Sequence, residues 1–112
     1  MKHITDRLNK AFDNKTRLGI MAILMVNDWV DFSTLKERLG GIADGTLASH
    51  IKALEKVDYI EIRKQFIGKK PNTSYSASKI GRKAFNDHLD ALEALLKSVS
   101  YTHLTLPTTP YV

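Results

Sequence analysis

The sequence predicts a mainly α-helical fold that carries one small β-hairpin. Apolar residues recur at helical spacing in several segments, and strict alternation of apolar and polar residues occurs only over residues 59–77. The length of 112 residues suits one small domain. The predicted order is an N-terminal helix, a core helix, two helices joined by a tight turn, the hairpin and a C-terminal helix.

The composition excludes several classes of protein. The chain contains no cysteine, which excludes a disulfide framework, a thiolate zinc site and a cysteine nucleophile. Its most apolar stretch, residues 19–26, is too short to span a bilayer, and no apolar signal segment follows the first residues. We therefore expect a cytoplasmic protein with no membrane partner. The net charge of +5 is compatible with a nucleic acid or another anionic surface as partner.

The first two helices are predicted over residues 4–12 and 15–27. Asn14 is a favourable N-cap for the second of them, which we expect to be central because its apolar residues cover more than one side. The apolar residues of the N-terminal helix have helical spacing: Ile4, Leu8, Ala11 and Phe12.

A pair of helices joined by a tight turn is predicted over residues 33–39 and 44–58. Gly40 and Gly41 stop the first helix, since two glycines disfavour a helix and permit a tight turn. Asp44 is the expected N-cap of the second helix. Helical spacing puts three of its apolar residues in one buried stripe: Leu47, Ile51 and Leu54.

Residues 59–77 form the predicted hairpin, with its turn over residues 68–72, and Ser78 caps a C-terminal helix over residues 78–98. The side chains expected on the buried face of the hairpin alternate with polar ones: Ile60, Ile62, Phe66, Tyr75 and Ala77. The basic excess of the chain lies in the same region. Residues 61–83 carry seven Lys and Arg against one Glu, which predicts a cationic hairpin.

These elements together predict DNA binding. A short helix joined by a tight turn to an amphipathic helix is a helix-turn-helix, whose second helix fits the major groove with its polar residues near base edges. Cations on an adjacent hairpin, the wing, suit phosphates. The predicted fold is therefore a winged helix-turn-helix that binds double-stranded DNA. The candidate DNA contacts are Thr46, Ser49, His50, Lys52, Lys56, Arg63, Lys64, Lys69, Lys70 and Asn72.

Five segments resemble short winged-helix transcriptional regulators of the MarR/ArsR-like type: residues 14–21, 31–36, 44–55, 68–75 and 81–85. The resemblance covers about residues 4–97, and implies a dimeric, sequence-specific regulator, usually a repressor, that binds a palindromic operator. The sequence departs from the family pattern at residues 39–45, which are one glycine longer and have Ala43 in place of a hydroxyl residue. The angle of the second helix of the pair depends on this turn, where Asp44 is left to cap alone.

The last helix predicts a homodimer. Its apolar residues recur at steps of three and four, the spacing of a coiled-coil seam, although packing within the chain is an alternative and one helix can do both. We expect N-terminal and C-terminal dimerisation helices, because a small chain gains much from burying such a seam. The candidate interface residues are Leu8, Phe12, Leu89, Leu92, Leu95 and Leu96.

Two alternatives to a sequence-specific regulator stay open: a winged-helix module for protein–protein interaction, and a non-specific nucleic-acid binder. For His50, packing beside the apolar stripe and contact with DNA are equally compatible with its position. We predict no enzymatic activity, cofactor or metal, since the four histidines have no ligand spacing and no catalytic arrangement is recognisable. The sequence identifies no small-molecule effector.

The C-terminal residues 99–112 differ from the rest of the chain. They carry no charge and no periodicity, and residues 99–109 resemble the in-frame translation of a transposase-type sequencing adapter. We therefore predict one winged-helix domain over residues 1–98 and a disordered tail of artefactual origin over residues 99–112.

Overall fold

A computed structural model describes the backbone of residues 5–100 and the side chains of residues 5–97. The four α-helices are α1 Lys15–Met25, α2 Phe32–Arg38, α3 Asp44–Lys56 and α4 Lys79–Ser100. The three strands are β1 Val30–Asp31, β2 Ile60–Ile67 and β3 Lys70–Ala77. This architecture confirms the predicted fold class. Most of the predicted tail, residues 101–112, lies outside the described residues, and the α4 backbone continues two residues past the predicted end at residue 98.

The N-terminal segment differs from the prediction. The helix predicted over residues 4–12 is wrong, because the described part of this segment forms a turn followed by a short 3-10 helix, Lys10–Phe12. Asn9 breaks the helical path with φ −91° and ψ 122°. Its backbone N–H donates to His88 Nδ1 at 3.0 Å, and its side-chain amide donates to the Tyr59 hydroxyl at 2.8 Å. These long-range bonds use groups that would otherwise serve a helix.

The hydrophobic core lies between α1, α3, the sheet and the first half of α4. Asn14 caps α1 as predicted, since its side-chain oxygen accepts from the backbone N–H groups of Thr16 and Arg17. The residues that α1 and α3 bury at the centre are Ile20, Met21, Leu24, Leu47, Ile51 and Leu54. The predicted stripe of α3 is therefore correct, and it fixes which face of α3 remains exposed.

The turn between α2 and α3 is built from two glycines in the left-handed region, Gly40 with φ 84° and Gly41 with φ 76°. The prediction that Asp44 caps α3 is wrong. Ala43 occupies the N-cap position and makes no side-chain capping bond, whereas Asp44 is the first helical residue and pairs with Lys36 at 2.8 Å. Ala43 stands where the family pattern has a hydroxyl residue, so the N-cap position is kept but its capping side chain is lost. The Asp44 carboxylate in the first turn interacts favourably with the positive end of the helix dipole.

Strand β1 was not predicted, since two residues are too short to show alternation. It precedes α2 directly, and Asp31 caps that helix by accepting from the Thr34 backbone N–H at 2.8 Å. Hydrogen bonds from the side chain and backbone of Thr34 lower the pKa of the Asp31 carboxyl. The cap lies two residues before residue 33, the predicted helix start.

The sheet order is β1-β3-β2, with both pairs antiparallel. The β2–β3 register is unbroken from Ile60 opposite Ala77 to Ile67 opposite Lys70. The connecting turn therefore contains only Gly68 and Lys69, and is shorter than the predicted turn over residues 68–72. Gly68 has φ 66°, a conformation that two-residue hairpin turns require and that glycine adopts without strain.

Helix α4 starts against the root of the wing. Ser78 caps it as predicted, with its Oγ accepting from the Gly81 backbone N–H at 2.9 Å. Phe85 packs edge-on to Phe12 at 5.5 Å between ring centroids, and Phe12 also contacts Tyr59 at 5.6 Å. No helix within the described residues has the length and apolar character needed to cross a membrane.

Gly81 generates a prediction about stability. A Cβ atom at this position would collide with the backbone of Tyr59, where the chain enters β2, and backbone atoms cannot yield as a flexible side chain does. We expect Gly81→Ala to lower the free energy of unfolding by about 2–3 kcal/mol, measured by urea denaturation.

Gly45→Ala is the matched control, since nothing lies within 4 Å of the Cβ position and the backbone is helical. Its stability should be unchanged or higher by about 0.5–1 kcal/mol. Equal unfolding midpoints for Gly81→Ala and the wild type would show that α4 does not pack against Tyr59 in this way.

Candidate nucleic-acid interface

The outer face of α3 is polar and accessible. Because Leu47, Ile51 and Leu54 face the core, the opposite face presents a set of exposed residues: Thr46, Ser49, Lys52 and Lys56. The two hydroxyl residues are short enough for close approach to a base edge or a phosphate, and the lysines supply positive charge. All four side chains predicted from the sequence are therefore placed together on one helix face.

His50 lies at the edge of this face and is half-buried. Its Nδ1 lies 3.2 Å from Nη1 of Arg17, while Nε of Arg17 donates to the Ala11 carbonyl oxygen at 2.7 Å. A guanidinium only donates hydrogen bonds, so Nδ1 is the acceptor in this contact. The structure thus shows His50 packed against Arg17, and its contact with DNA stays a prediction.

A groove of about 220 Å³ separates α3 from the wing. Lys52 and Glu55 line it from α3, and Lys64 and Thr73 line it from the strands. Tyr75 lies at its floor, where burial and then the negative charge of Glu55 raise the pKa of the phenol. Lysines from two elements therefore border one groove, although they are 12 residues apart in the sequence.

The cations of β2 divide between the two faces of the sheet. Alternation from Ile60 puts Ile62, Lys64 and Phe66 on the face toward α3, and Arg63 on the opposite face. There the Arg63 guanidinium stacks over Trp29 at 4.3 Å from the ring centroid. The two predicted contacts Arg63 and Lys64 therefore point to opposite sides of the wing, and only Lys64 faces α3. Trp29, the partner of Arg63, was not predicted from the sequence.

The outer part of the wing carries three more of the predicted DNA contacts and one residue whose predicted burial is wrong. Lys69 and Lys70 are exposed, whereas Asn72 is half-buried, accepts from Ser74 Oγ at 3.1 Å and hydrogen-bonds Asp31. Phe66 was expected on the buried face, but it is 71% exposed. The strand extends beyond the core here, so its inward-facing side meets no core residue.

Part of the predicted hairpin charge belongs to α4. Lys79, Arg82 and Lys83 lie on the first two turns of that helix rather than on the wing. Lys83 pairs with Asp87 at 2.7 Å, and this hydrogen bond raises the pKa of the lysine. The lysines that line the α3 groove are Lys52 and Lys64, and none of these three α4 cations is among them.

The predicted interface residues occupy different environments. Leu89 and Leu96 are exposed, and Leu8, Leu92 and Leu95 are half-buried. Phe12 is only 3% exposed and packs inside the chain, so its assignment to the dimer interface is corrected to a core role.

His88 is a buried structural histidine. Its Nδ1 accepts from the Asn9 backbone, and its ring lies edge-on to Phe12 at 5.2 Å between centroids. Among the side chains of residues 5–97, no three His, Asp or Glu groups come together in an arrangement able to hold a metal ion.

Three comparisons show what the chain is similar to. A family model described as a winged helix DNA-binding domain matches residues 16–96. An uncharacterised protein of Methanocaldococcus jannaschii is 31% identical over 90 residues, which cover 80% of this chain and 97% of that protein.

Solved structures are similar in fold. The structure of a transcriptional regulator homologue from Pyrococcus horikoshii OT3 has a TM-score of 0.74 at 27% identity, covering 86% of this chain and 92% of its own. A MarR-family protein of Porphyromonas gingivalis W83 has a TM-score of 0.61 at 19% identity, covering 80% and 84%. At that identity the second likeness concerns the fold alone.

The first turn of α3 has no side-chain cap, and a substitution that supplies one should stabilise the protein. Ala43 has φ −62° and ψ 143°, an extended conformation in which a serine side chain can accept from the first turn of the helix. Ala43→Ser should raise the free energy of unfolding by about 1 kcal/mol, measured by urea denaturation.

The same substitution inside the helix is the control. Ala48→Ser, at an exposed position of α3, should lower stability by a few tenths of a kcal/mol, roughly the difference in helix propensity. A destabilised Ala43→Ser protein would mean that Ala43 does not hold the N-cap conformation.

Proposed function

The chain belongs to the family of winged helix DNA-binding domains, as its sequence resemblance predicted, and from this premise we propose that it is a sequence-specific transcriptional repressor. In this proposal a homodimer binds a palindromic operator through α3 and the wing. The observation that carries the proposal is the placement of Lys52 on α3 and Lys64 on the wing at opposite sides of one groove.

Helix α3 supplies the sequence-specific contacts. Thr46 and Ser49 are exposed near its N-terminus, the part of a recognition helix that approaches base edges in the major groove. Lys52 lies one turn further along and can donate to guanine O6 or N7. Lys56, near the C-terminus of the helix, is better suited to a phosphate.

The wing supplies contacts that are independent of sequence. Lys64, Lys69 and Lys70 are exposed, and none forms an ion pair with a described carboxylate. Such cations release condensed counterions when they neutralise phosphates, which makes affinity depend on salt. Arg63 contributes less directly, since its guanidinium is stacked on Trp29.

The dimer is supported by α4. The first half of the helix packs on the core through Phe85, whereas Leu89 is exposed and Leu92 and Leu95 are half-buried. A two-fold dimer through this surface presents two α3 helices related by symmetry, which matches two half-sites of a palindrome. Repression is supported by the resemblance to MarR/ArsR-like regulators. Intracellular DNA as the target implies a cytoplasmic protein that acts by binding, without catalysis.

The salt dependence of binding tests the DNA function. With a duplex selected from a random pool, we expect a slope of log K against log [salt] near −7 to −9 for the dimer, at about four to five phosphates per protomer and roughly −0.9 per phosphate. Lys52→Ala should weaken binding to the selected duplex more than to random duplex. Lys70→Ala should weaken both about equally and reduce the magnitude of the slope by about 2 per dimer. Fluorescence anisotropy titrations measure all of these values.

Two outcomes would contradict parts of this proposal. Affinity that is insensitive to salt excludes phosphate neutralisation and favours a protein-interaction module. Equal effects of Lys52→Ala on selected and random duplexes favour a non-specific nucleic-acid binder.

Sedimentation equilibrium tests the dimer. Leu89 is 44% exposed on the proposed seam, and Leu89→Lys would place like charges near each other across a two-fold interface. We expect the dimer dissociation constant to rise by at least about tenfold, that is about 1.4 kcal/mol.

Ile80→Lys is the matched control on the same helix. Ile80 is 59% exposed, and nine positions at 100° each put it roughly 180° around α4 from Leu89. Its lysine variant should dimerise as the wild type does. A dimer weakened equally by both substitutions, or by neither, would rule out the Leu89 side of α4 as the interface.

A further inference from the structure

Phe66 is the most exposed aromatic side chain among residues 5–97, at 71%. It lies in β2 near the wing tip, not in an irregular loop. Eight consecutive residue pairs hold β2 against β3, and Phe66 is opposite Pro71. The backbone position of the ring is thus defined by the sheet, although no core residue covers the side chain.

The ring is on the side of the wing that faces α3. Phe66 is two positions beyond Lys64, and alternate strand residues share a face. At about 3.3 Å per residue, Phe66 lies roughly 7 Å further along the strand than Lys64, away from the core. It therefore continues the groove that Lys52 and Lys64 border, at the outer end of the wing.

The surroundings of the ring are cationic. Lys64, Lys69 and Lys70 lie within four residues of Phe66, and the acidic residue nearest in sequence is Glu61. Within the described residues none of the three lysines has an ion-pair partner. Lys64 shares the face of Phe66, Lys69 lies in the turn beyond it, and Lys70, opposite Ile67, points to the other face of the wing. An apolar ring at a positively charged wing tip is complementary to a polyanion that has apolar walls. A second copy of the wing tip would repel it.

We propose that Phe66 inserts into the minor groove of DNA beside the site bound by α3, with its ring against the deoxyribose walls and the edges of a base step. The inference rests on the proposed DNA function and names the side chain that anchors the wing. Duplex DNA offers such a surface, since apolar side chains enter minor grooves in other DNA-binding proteins. The neighbouring lysines then neutralise the flanking phosphates, and Phe66 adds affinity that does not depend on salt.

Phe66→Ala and Ile67→Ala form a matched pair for the test. Ile67 is adjacent on the same strand and 61% exposed, but it points to the opposite face, on the side of Arg63 and Trp29. Full-length protein is titrated with the selected duplex at several salt concentrations. Phe66→Ala should bind about tenfold more weakly with an unchanged salt slope, Phe66→Leu should recover part of the loss, and Ile67→Ala should change affinity less than twofold.

Hydroxyl-radical footprinting shows where the contact lies, because the radical attacks deoxyribose from the minor groove. The wild type should protect sugars beside the α3 site, and Phe66→Ala should lose that protection alone. Equal affinities for Phe66→Ala and the wild type, or an unchanged footprint, overturn the inference. The inference is also overturned if Phe66→Ala keeps its DNA affinity but loses self-association or binding to anionic phospholipid vesicles. Wild-type protein that binds no duplex overturns the proposed function as well, which separates the two failures.

Discussion

The pairing of β3 with strands on both of its edges is the constraint on which the rest of the structure depends. β1 ends where α2 begins, and β2 starts shortly after α3 ends, so the helix-turn-helix is a chain segment whose two ends are held by the same strand. Val30 and Ile62 are both register partners of Tyr75. The position of α3 relative to the wing therefore depends on hydrogen bonds that a change in either helix would not remove.

A second set of contacts connects this unit to α4. Asn9 bonds to His88 and to Tyr59, and Phe12 packs between the rings of Tyr59 and Phe85. Gly81 allows the start of α4 to approach the Tyr59 backbone closely. Because α4 is thus fixed against the root of the wing, the distance between two wings in a dimer would depend on packing along α4. The orientation of each wing on its own core would remain unchanged.

Elements whose signals are local could be predicted from the sequence, and those determined by distant partners could not. Asn14 and Ser78 have capping chemistry within three residues, and the α3 stripe is set by helical spacing. The N-terminal helix was wrong because the bonds of Asn9 reach residues 50 and 79 positions away. At the candidate DNA-binding surface the residue types could be predicted, but their surroundings in the fold could not. Alternation along the predicted strand already separates Arg63 from Lys64, but the elements that each side faces depend on the packing of the sheet. Nothing in the local sequence shows that the core ends before Phe66.

The two faces of β2 differ in whether their side chains are packed against the rest of the chain. On one face the guanidinium of Arg63 stacks on Trp29, an interaction typically worth about 0.5–1 kcal/mol at exposed sites, and this contact braces the strand from the side away from α3. On the other face Lys64 and Phe66 have no such partner among the described residues and are available to a ligand. An exposed aromatic ring contributes little to the free energy of folding, because hydrophobic stabilisation requires that apolar area be removed from water and most of this ring stays in contact with water. Burial on folding therefore does not account for an aromatic residue at position 66, and the same strand alternation that places Arg63 on Trp29 places the Phe66 ring on the side of α3.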